Sequence, residues 1–172
     1  MIGSICFQHG DDFVGKTIQR VSDFRFTHVF IIVDKDKNGY KILDTDWRQS
    51  HIRYLDYYKN DKLDIFQPTE NLSNDVIKEA TKNIVKQYRG KQYGYLQLVG
   101  YLPVIWFSKL FKKKIKNPFT KNITCVEKTY DYCDFVNMCE VRLYDKNSIT
   151  PEQLYRIVMT SPKFEKVQVI QT

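Results

Sequence analysis

Four cysteines and three histidines are the side chains of this 172-residue chain best suited to nucleophilic or metal chemistry. Cys125 lies in the sequence Thr-Cys-Val-Glu, which is typical of a capping box with Thr124 at the N-cap and Glu127 at the third helical position. The unpaired N–H groups and the dipole at such a helix start stabilise a thiolate. We therefore expect Cys125 to be a nucleophile, the alternative being a buried, inert cysteine.

The other cysteines lack this setting. Cys6 lies in a predicted strand, whereas Cys133 and Cys139 lie further along the predicted helix 124–139, where the dipole gives no help. We expect core or surface roles for all three. No Cys/His pairs have the short spacing of zinc ligands. The sequence therefore predicts no metal and no cofactor.

His28 is the histidine best placed to be a base. It lies in the segment 26–33 (Phe-Thr-His-Val-Phe-Ile-Ile-Val), which strongly predicts a strand that is apolar on both faces. A buried imidazole needs a partner, because an unpaired polar group in a core is costly. A core histidine bonded to backbone is the alternative. His9 and His51 lie in polar segments and are weaker candidates.

The chain after this strand supplies a carboxylate. Residues 34–39 end in Asn38-Gly39, a hairpin signal, and would return residues 40–44 antiparallel to 28–33. Asp44 would then lie nearly opposite His28 and could accept its N–H, which fixes the tautomer of the ring. Asp46 would take this place in another register, and a turn or surface role for Asp44 is the alternative.

The remaining pattern predicts one α+β domain over residues 1–172. Apolar and β-branched runs predict strands at 2–7, 26–33, 40–44, 62–66 and 164–170. Periodic apolar positions and capping residues predict helices at 73–89 and 124–139, and a third that begins at Pro151.

A hydrophobic run at 95–107 precedes a basic segment. The run is too short, and too interrupted by Gln97, Gly100 and Pro103, to span a membrane. It predicts either a core helix or cleft wall, or a lipid-facing insertion in which Trp106 anchors at the interface. In the second case Lys112, Lys113 and Lys114 would contact an anionic membrane. Part of the net charge of +7 lies here, yet no nucleic-acid-binding motif accompanies it.

The location of the protein is also an expectation from the sequence. No hydrophobic signal segment opens the chain, which predicts a reducing, cytoplasmic setting with free thiols and, at most, peripheral membrane contact. Delivery by a virus or phage particle would leave no mark of this kind.

The order of the motifs resembles a known family. His28 in a strand, an acidic residue ending the next strand, the segment 90–95 (Gly-Lys-Gln-Tyr-Gly-Tyr), Cys125-Val126-Glu127 and then Thr150-Pro151-Glu152 follow one another. This is similar to the circularly permuted NlpC-type branch of papain-like cysteine hydrolases, in which His precedes Cys. That branch includes YiiX/YebB-like proteins and lecithin:retinol acyltransferase.

The resemblance implies a circularly permuted papain-like fold, with an antiparallel sheet or small barrel packed against helices. It also implies a Cys125–His28–Asp44 triad and an aromatic residue, Tyr93, near the active site. We expect Thr124 and Trp106 to contribute to substrate binding as well. The chain departs from the family at Val126, where a small residue is frequent, and in having Asp at the third position, where YiiX-like members often have Glu.

The implied activity is that of a cysteine hydrolase or acyltransferase acting on an amide, thioester or lipid ester through an acyl-enzyme. The run at 95–107 favours an apolar acyl substrate. Two alternatives are a catalytically silent membrane- or protein-binding module on the same fold and a phage-delivered peptidoglycan hydrolase.

Overall fold

The architecture is α+β, as the sequence predicts. A computed structural model describes residues 1–9, 25–46, 48–92, 125–147 and 149–167. Within these ranges six antiparallel strands form one open sheet, in the order β4-β3-β2-β1-β5-β6. They are β1 (Ile5–His9), β2 (Phe26–Asp36), β3 (Gly39–Thr45), β4 (Ser50–Tyr54), β5 (Leu63–Pro68) and β6 (Phe164–Val167). The helices in these ranges are α1 (Asn74–Tyr88), α2 (Cys125–Phe135) and α3 (Pro151–Thr160).

The hairpin between β2 and β3 confirms the prediction, with a turn one residue earlier than the Asn-Gly signal. The turn residues are Lys37 and Asn38, because the last ladder pair joins Asp36 to Gly39. The Asp36 carboxylate accepts the Asn38 N–H at 2.8 Å. Gly39 has a φ of 129°, a conformation that other residues rarely adopt, which accounts for glycine at this position.

Two helices form as predicted from their caps. Ser73 caps α1 by accepting the Val76 N–H, and the chain leaves the helix through Gly90, whose φ is 80°. Thr150 caps α3 in a full capping box with Gln153, and Pro151 occupies the first turn.

Helix α2 spans Cys125–Phe135 within the described residues and is shorter than the predicted helix 124–139 at its carboxyl end. It ends at Phe135, because Asn137 takes a left-handed φ of 57° and the Met138 N–H bonds back to the Cys133 carbonyl, a Schellman-type stop. Cys139 therefore lies outside this helix and begins a short 3-10 helix, Cys139–Leu143. Thr124, the predicted N-cap, lies outside the described residues.

Three strand predictions need correction. Strand β4 was not predicted, since the alternation in Ser-His-Ile-Arg-Tyr is mostly polar, yet it pairs with β3 along its whole length. His9, expected in a loop, ends β1. Pro68, expected to close the strand before it, is the last residue of β5 and pairs with Phe164.

Strand β2 lies at the centre of the core because both of its faces are buried. On one face Val29 and Ile31 belong to the large cluster that the three helices complete. On the other face Phe30 stacks on Tyr58 of the 3-10 helix Leu55–Tyr58, with ring centroids 4.6 Å apart. The apolar sequence of β2 on both faces thus reflects burial on both faces.

The hydrophobic run 95–107 and the lysines at 112–114 lie outside the described residues. Among the helices that the structure describes, none combines the length and the apolar character needed to cross a membrane.

Candidate active site

His28 lies between a carboxylate and a thiol. Its Nε2 atom is 2.6 Å from Oδ1 of Asp44, and its side chain also hydrogen-bonds with Cys125. Because Asp44 occupies Nε2, Nδ1 is the ring nitrogen left for the sulfur. The structure therefore brings together the three side chains that the sequence singled out.

The contact between His28 and Asp44 is diagonal across the sheet. The ladder pairs Ile31 with Leu43, and its continuation would place Asp44 opposite Phe30, two residues from His28. The predicted register, with Asp44 opposite His28, was wrong because the turn is short. The ladder shift between Ile32 and Asp34 moves Asp44 one residue back towards His28, from opposite Ile31 to opposite Phe30. Alternate residues of a strand share a face, so the side chains still meet.

Helix α2 begins where the ladder between β2 and β3 ends. The C=O and N–H of Ile32 hydrogen-bond with the backbone of Gly3 and Ser4, on the β1 side of the strand. Successive residues of a strand alternate in direction, so the backbone N–H and C=O of Ile31 and Val29 point towards β3. Within the described strands, pairing between β2 and β3 stops at Ile31–Leu43, although β2 extends back to Phe26. The Val29 N–H instead acts on Cys125, where hydrogen bonding from this group is one of the causes that lower the pKa of the thiol.

Thr45, which would have faced Val29 in the next pair, bonds with the same helix. Its Oγ1 accepts from the Lys128 ammonium at 2.6 Å, and its N–H donates to Asp44 Oδ1 at 2.7 Å. Cys125 and Lys128 of α2 thus bond with the two residues that a longer ladder would have paired with each other.

Asp44 accepts hydrogen bonds from several elements and is 1% exposed. Besides His28 and the Thr45 N–H, the Tyr58 hydroxyl donates to it at 2.9 Å and Arg53 Nε lies 3.0 Å away. Burial alone would raise the pKa of this carboxyl. The hydrogen bond and charge of His28, followed by the charges of Lys128 and Arg53, outweigh burial and hold the Asp44 pKa well below its usual range.

The same contacts shift the imidazole and the thiol in opposite directions. Burial lowers the pKa of His28, but its hydrogen bonds with Asp44 and Cys125 outweigh this and raise the pKa to about 9. Burial raises the pKa of Cys125, whereas its hydrogen bond with His28 and the charges of His28 and Lys128 bring it below its ordinary value. This arrangement can hold a thiolate beside an imidazolium.

The other three cysteines differ from Cys125 in their surroundings. Burial raises the pKa values of Cys6 and Cys133, and both thiols lie in the core. Cys139 is exposed on the 3-10 helix. Among the four, Cys125 is the cysteine next to a histidine, as the sequence predicts.

The weaker candidates have other contacts. Asp46 accepts the backbone N–H groups of Arg48 and Gln49, so it organises the turn before β4 and does not take the place of Asp44. His51 hydrogen-bonds with Arg53. His9 lies 3.3 Å from Asp64.

Sequence reasoning missed three residues that surround Asp44. Arg53 and Tyr58 lie in or next to the unpredicted strand β4, so nothing in their local pattern connects them with the site. Lys128, in contrast, could have been found from the sequence of α2. It shares a buried helical stripe with Cys125 and Tyr132, at spacings of three and four residues, where a charge is out of place.

The predicted substrate-binding residues Tyr93, Thr124 and Trp106 lie outside the described residues. Gln92, just before Tyr93, forms an isolated bridge with Gln49.

Comparison with known proteins supports the fold alone. The structure is similar to the crystal structure of the metalloprotein YiiX (DUF1105) from Escherichia coli O157:H7. The TM-score is 0.53 with 12% sequence identity, over 98% of this chain and 96% of that one. No protein-family model matches the sequence, and no curated protein matches it. The chain therefore has a YiiX-like fold.

Proposed function

We propose that this protein is a cysteine hydrolase or acyltransferase that works through an acyl-enzyme on Cys125. The observation that carries this proposal is the position of the His28 ring, which is bound through Nε2 to a buried carboxylate and also hydrogen-bonds with the Cys125 side chain. The YiiX-like fold supports it too, because a permuted papain-like chain would present His before Cys, as this chain does.

The proposed reaction begins with transfer of the Cys125 proton to His28. The thiolate attacks the substrate carbonyl carbon, and the resulting oxyanion is stabilised by backbone N–H groups that have no intrahelical partner at the start of α2. His28 then donates its proton to the leaving amine, alcohol or thiol, which leaves a thioester on Cys125. Water or another acceptor loses a proton to His28, attacks this thioester and restores the thiol. Asp44 orients the ring and stabilises the imidazolium throughout.

The proposed substrates are amides, thioesters or lipid esters. Their common feature is a carbonyl group that a thiolate can attack. Peripheral binding to an anionic membrane through Lys112, Lys113 and Lys114 belongs to the same proposal, since it would bring a lipid ester to the site.

A metal has no role in the proposed reaction. The neighbour YiiX is described as a metalloprotein. Within the part of this chain that the structure describes, no three or more His, Cys, Asp and Glu side chains are grouped to hold a metal ion. His28, Asp44 and Cys125 also bond with one another. We therefore assign no step to a metal.

Acylation by a small activated ester tests the proposal. The protein is mixed with p-nitrophenyl acetate near pH 7, and the acetylated peptide is located by mass spectrometry. We expect rapid acetylation of Cys125 in the wild type, and the initial rate of p-nitrophenolate release should fall by about 10³-fold or more in Cys125→Ala. Cys133→Ser, eight positions along the same helix, is the matched control and should retain the wild-type rate.

Two outcomes would contradict the proposal. One is acetylation that occurs mainly at the exposed Cys139. The other is acetylation of Cys125 no faster than that of an unfolded cysteine peptide.

A further inference from the structure

Lys128 is a buried ammonium in contact with neutral groups. Its side chain is completely inaccessible, and its Nζ donates to Thr45 Oγ1 at 2.6 Å. Thr45 Oγ1 is in turn 2.9 Å from Ser50 Oγ. Hydroxyl groups satisfy hydrogen bonds but do not neutralise a charge, and a buried ammonium without an anion nearby is strongly unfavourable. The charge of Lys128 therefore needs a negative partner close by.

The groups that act on Lys128 come from three elements. Asp44 on β3 and Cys125 on α2 stabilise its charge, whereas Arg53 on β4 opposes it. Asp44 already contacts His28, Arg53 and Tyr58 and accepts the Thr45 N–H. The sulfur of Cys125 is the second group able to carry a negative charge next to this ammonium. It lies one helical turn earlier on the same face of α2.

The ammonium persists at neutral pH. Burial lowers the pKa of Lys128, but the negative charges of Asp44 and Cys125 limit the fall, so that the pKa is about 8. The relation is reciprocal, since the charge of Lys128 is one of the causes that lower the pKa of Cys125.

We infer that Lys128 is a positioning residue whose buried ammonium holds Cys125 as a thiolate together with His28. The inference rests on the proposed function, in which Cys125 is the nucleophile. The thiolate then has two cationic neighbours: a proton carrier on β2 and a fixed charge on its own helix. Lys128 compensates the thiolate before it attacks the carbonyl, and does so again when the thioester is cleaved and the sulfur leaves as a thiolate.

The pH dependence of alkylation tests this without any substrate. The rate of iodoacetamide labelling is measured from pH 4 to 10 for the full-length protein, and the Cys125 and Cys139 peptides are quantified separately by mass spectrometry. In the wild type we expect the Cys125 midpoint to lie well below that of an unfolded cysteine peptide. Lys128→Met, similar in shape but uncharged, should move the midpoint up by at least one pH unit, which is about a tenfold lower rate below the midpoint. Lys128→Arg, which keeps the charge, should stay within about threefold of the wild type.

Lys146→Met is the matched control. Lys146 is also ion-paired to α2, through Asp131 at 2.6 Å, and does not contact Cys125. Its loss should leave the Cys125 midpoint unchanged. The alkylation profile of Cys139 should be the same in every variant, and circular dichroism checks the fold of each one.

A second variant keeps the test decisive if Lys128→Met fails to fold. In His28→Asn, Lys128 is intact, so the Cys125 midpoint should rise but stay below that of the unfolded peptide. Lys128 has no such role if folded Lys128→Met keeps the wild-type midpoint, or if His28→Asn matches the unfolded peptide. The proposed function fails separately if wild-type Cys125 already behaves like the unfolded peptide.

Discussion

Two histidines on adjacent strands each meet a buried carboxylate, and their surroundings can be compared almost atom by atom. Asp44 is contacted by His28 at 2.6 Å, the Tyr58 hydroxyl at 2.9 Å and Arg53 at 3.0 Å. On the other side of the sheet centre, Asp64 is contacted by His9 at 3.3 Å, the Tyr155 hydroxyl at 3.0 Å and Lys166 at 2.8 Å. Each cluster thus contains an imidazole, a carboxylate, a phenol and a cation.

The clusters differ in what else contacts the imidazole. The ring of His9 packs edge-on against Phe26, with centroids 4.8 Å apart. The ring of His28 hydrogen-bonds with Cys125 at the start of a helix. What distinguishes the His28 cluster is a thiol that can exchange a proton with the ring.

Replacing the two histidines should give the largest contrast. We expect His28→Ala to lower the rate of Cys125 acetylation by p-nitrophenyl acetate by about 10³-fold, because the thiol loses both its base and a cation. His9→Ala should change this rate by less than about twofold, although it removes a contact of Asp64. Equal losses in both variants would mean that they act through stability, and thermal melts would identify that case.

Replacing the carboxylates should give a smaller contrast in rate and a clear one in acid stability. Asp44→Asn should slow acetylation about 10- to 100-fold, because the amide no longer fixes the ring or compensates its charge, whereas Asp64→Asn should not. The pKa values of both carboxyls are lowered in the fold, so each ion contributes stability above its ordinary pKa of ~4, and this stability is lost as the pH falls.

Urea unfolding at pH 7 and below pH 4 measures this contribution. We expect the wild-type free energy of unfolding to fall with acidification. Asp44→Asn should remove more of that fall than Asp64→Asn, since the hydrogen bond and charge of His28 and the charges of Lys128 and Arg53 lower the Asp44 pKa further. A steeper acid loss in Asp44→Asn than in the wild type would contradict the linkage.

Replacing the tyrosines should give the smallest contrast. Tyr58→Phe and Tyr155→Phe each remove one hydroxyl donor from a carboxylate, which costs about 1 kcal/mol of stability in either cluster. Only Tyr58→Phe should also slow Cys125 acetylation, by about two- to fivefold. A rate loss in Tyr155→Phe at equal stability would show that the two clusters are coupled through β1.

The sequence was informative where residue type and local period determine the outcome. The helix that contains Cys125, the strand around His28 and the return of the chain to Asp44 all followed from local patterns. The register of the hairpin did not, because the spacing of apolar residues fixes neither the length of the turn nor the ladder shift near Val33. The contact between His28 and Asp44 survived this error because the shift kept both on one face.

The partners of Asp44 could not be predicted in the same way. Arg53 and Tyr58 reach it because β4 returns along β3, and β4 has the composition of a loop. Lys128 reaches Thr45 because α2 meets the sheet at one particular point. Such contacts depend on how elements meet, and no local window of the sequence contains that information.

Because the ladder between β2 and β3 ends early, the residues that stabilise the hairpin are different from those that contact the reactive thiol. The pairs from Asp36–Gly39 to Ile31–Leu43 hold the hairpin together, whereas the Val29 N–H and the Thr45 side chain interact with α2. One further ladder pair, between Val29 and Thr45, would bring β2 and β3 together there and displace the Cys125 sulfur. Substitutions that strengthen strand pairing near the turn should therefore stabilise the hairpin without changing the reactivity of Cys125. At the other end of the hairpin, strand pairing is absent where the Cys125 sulfur lies.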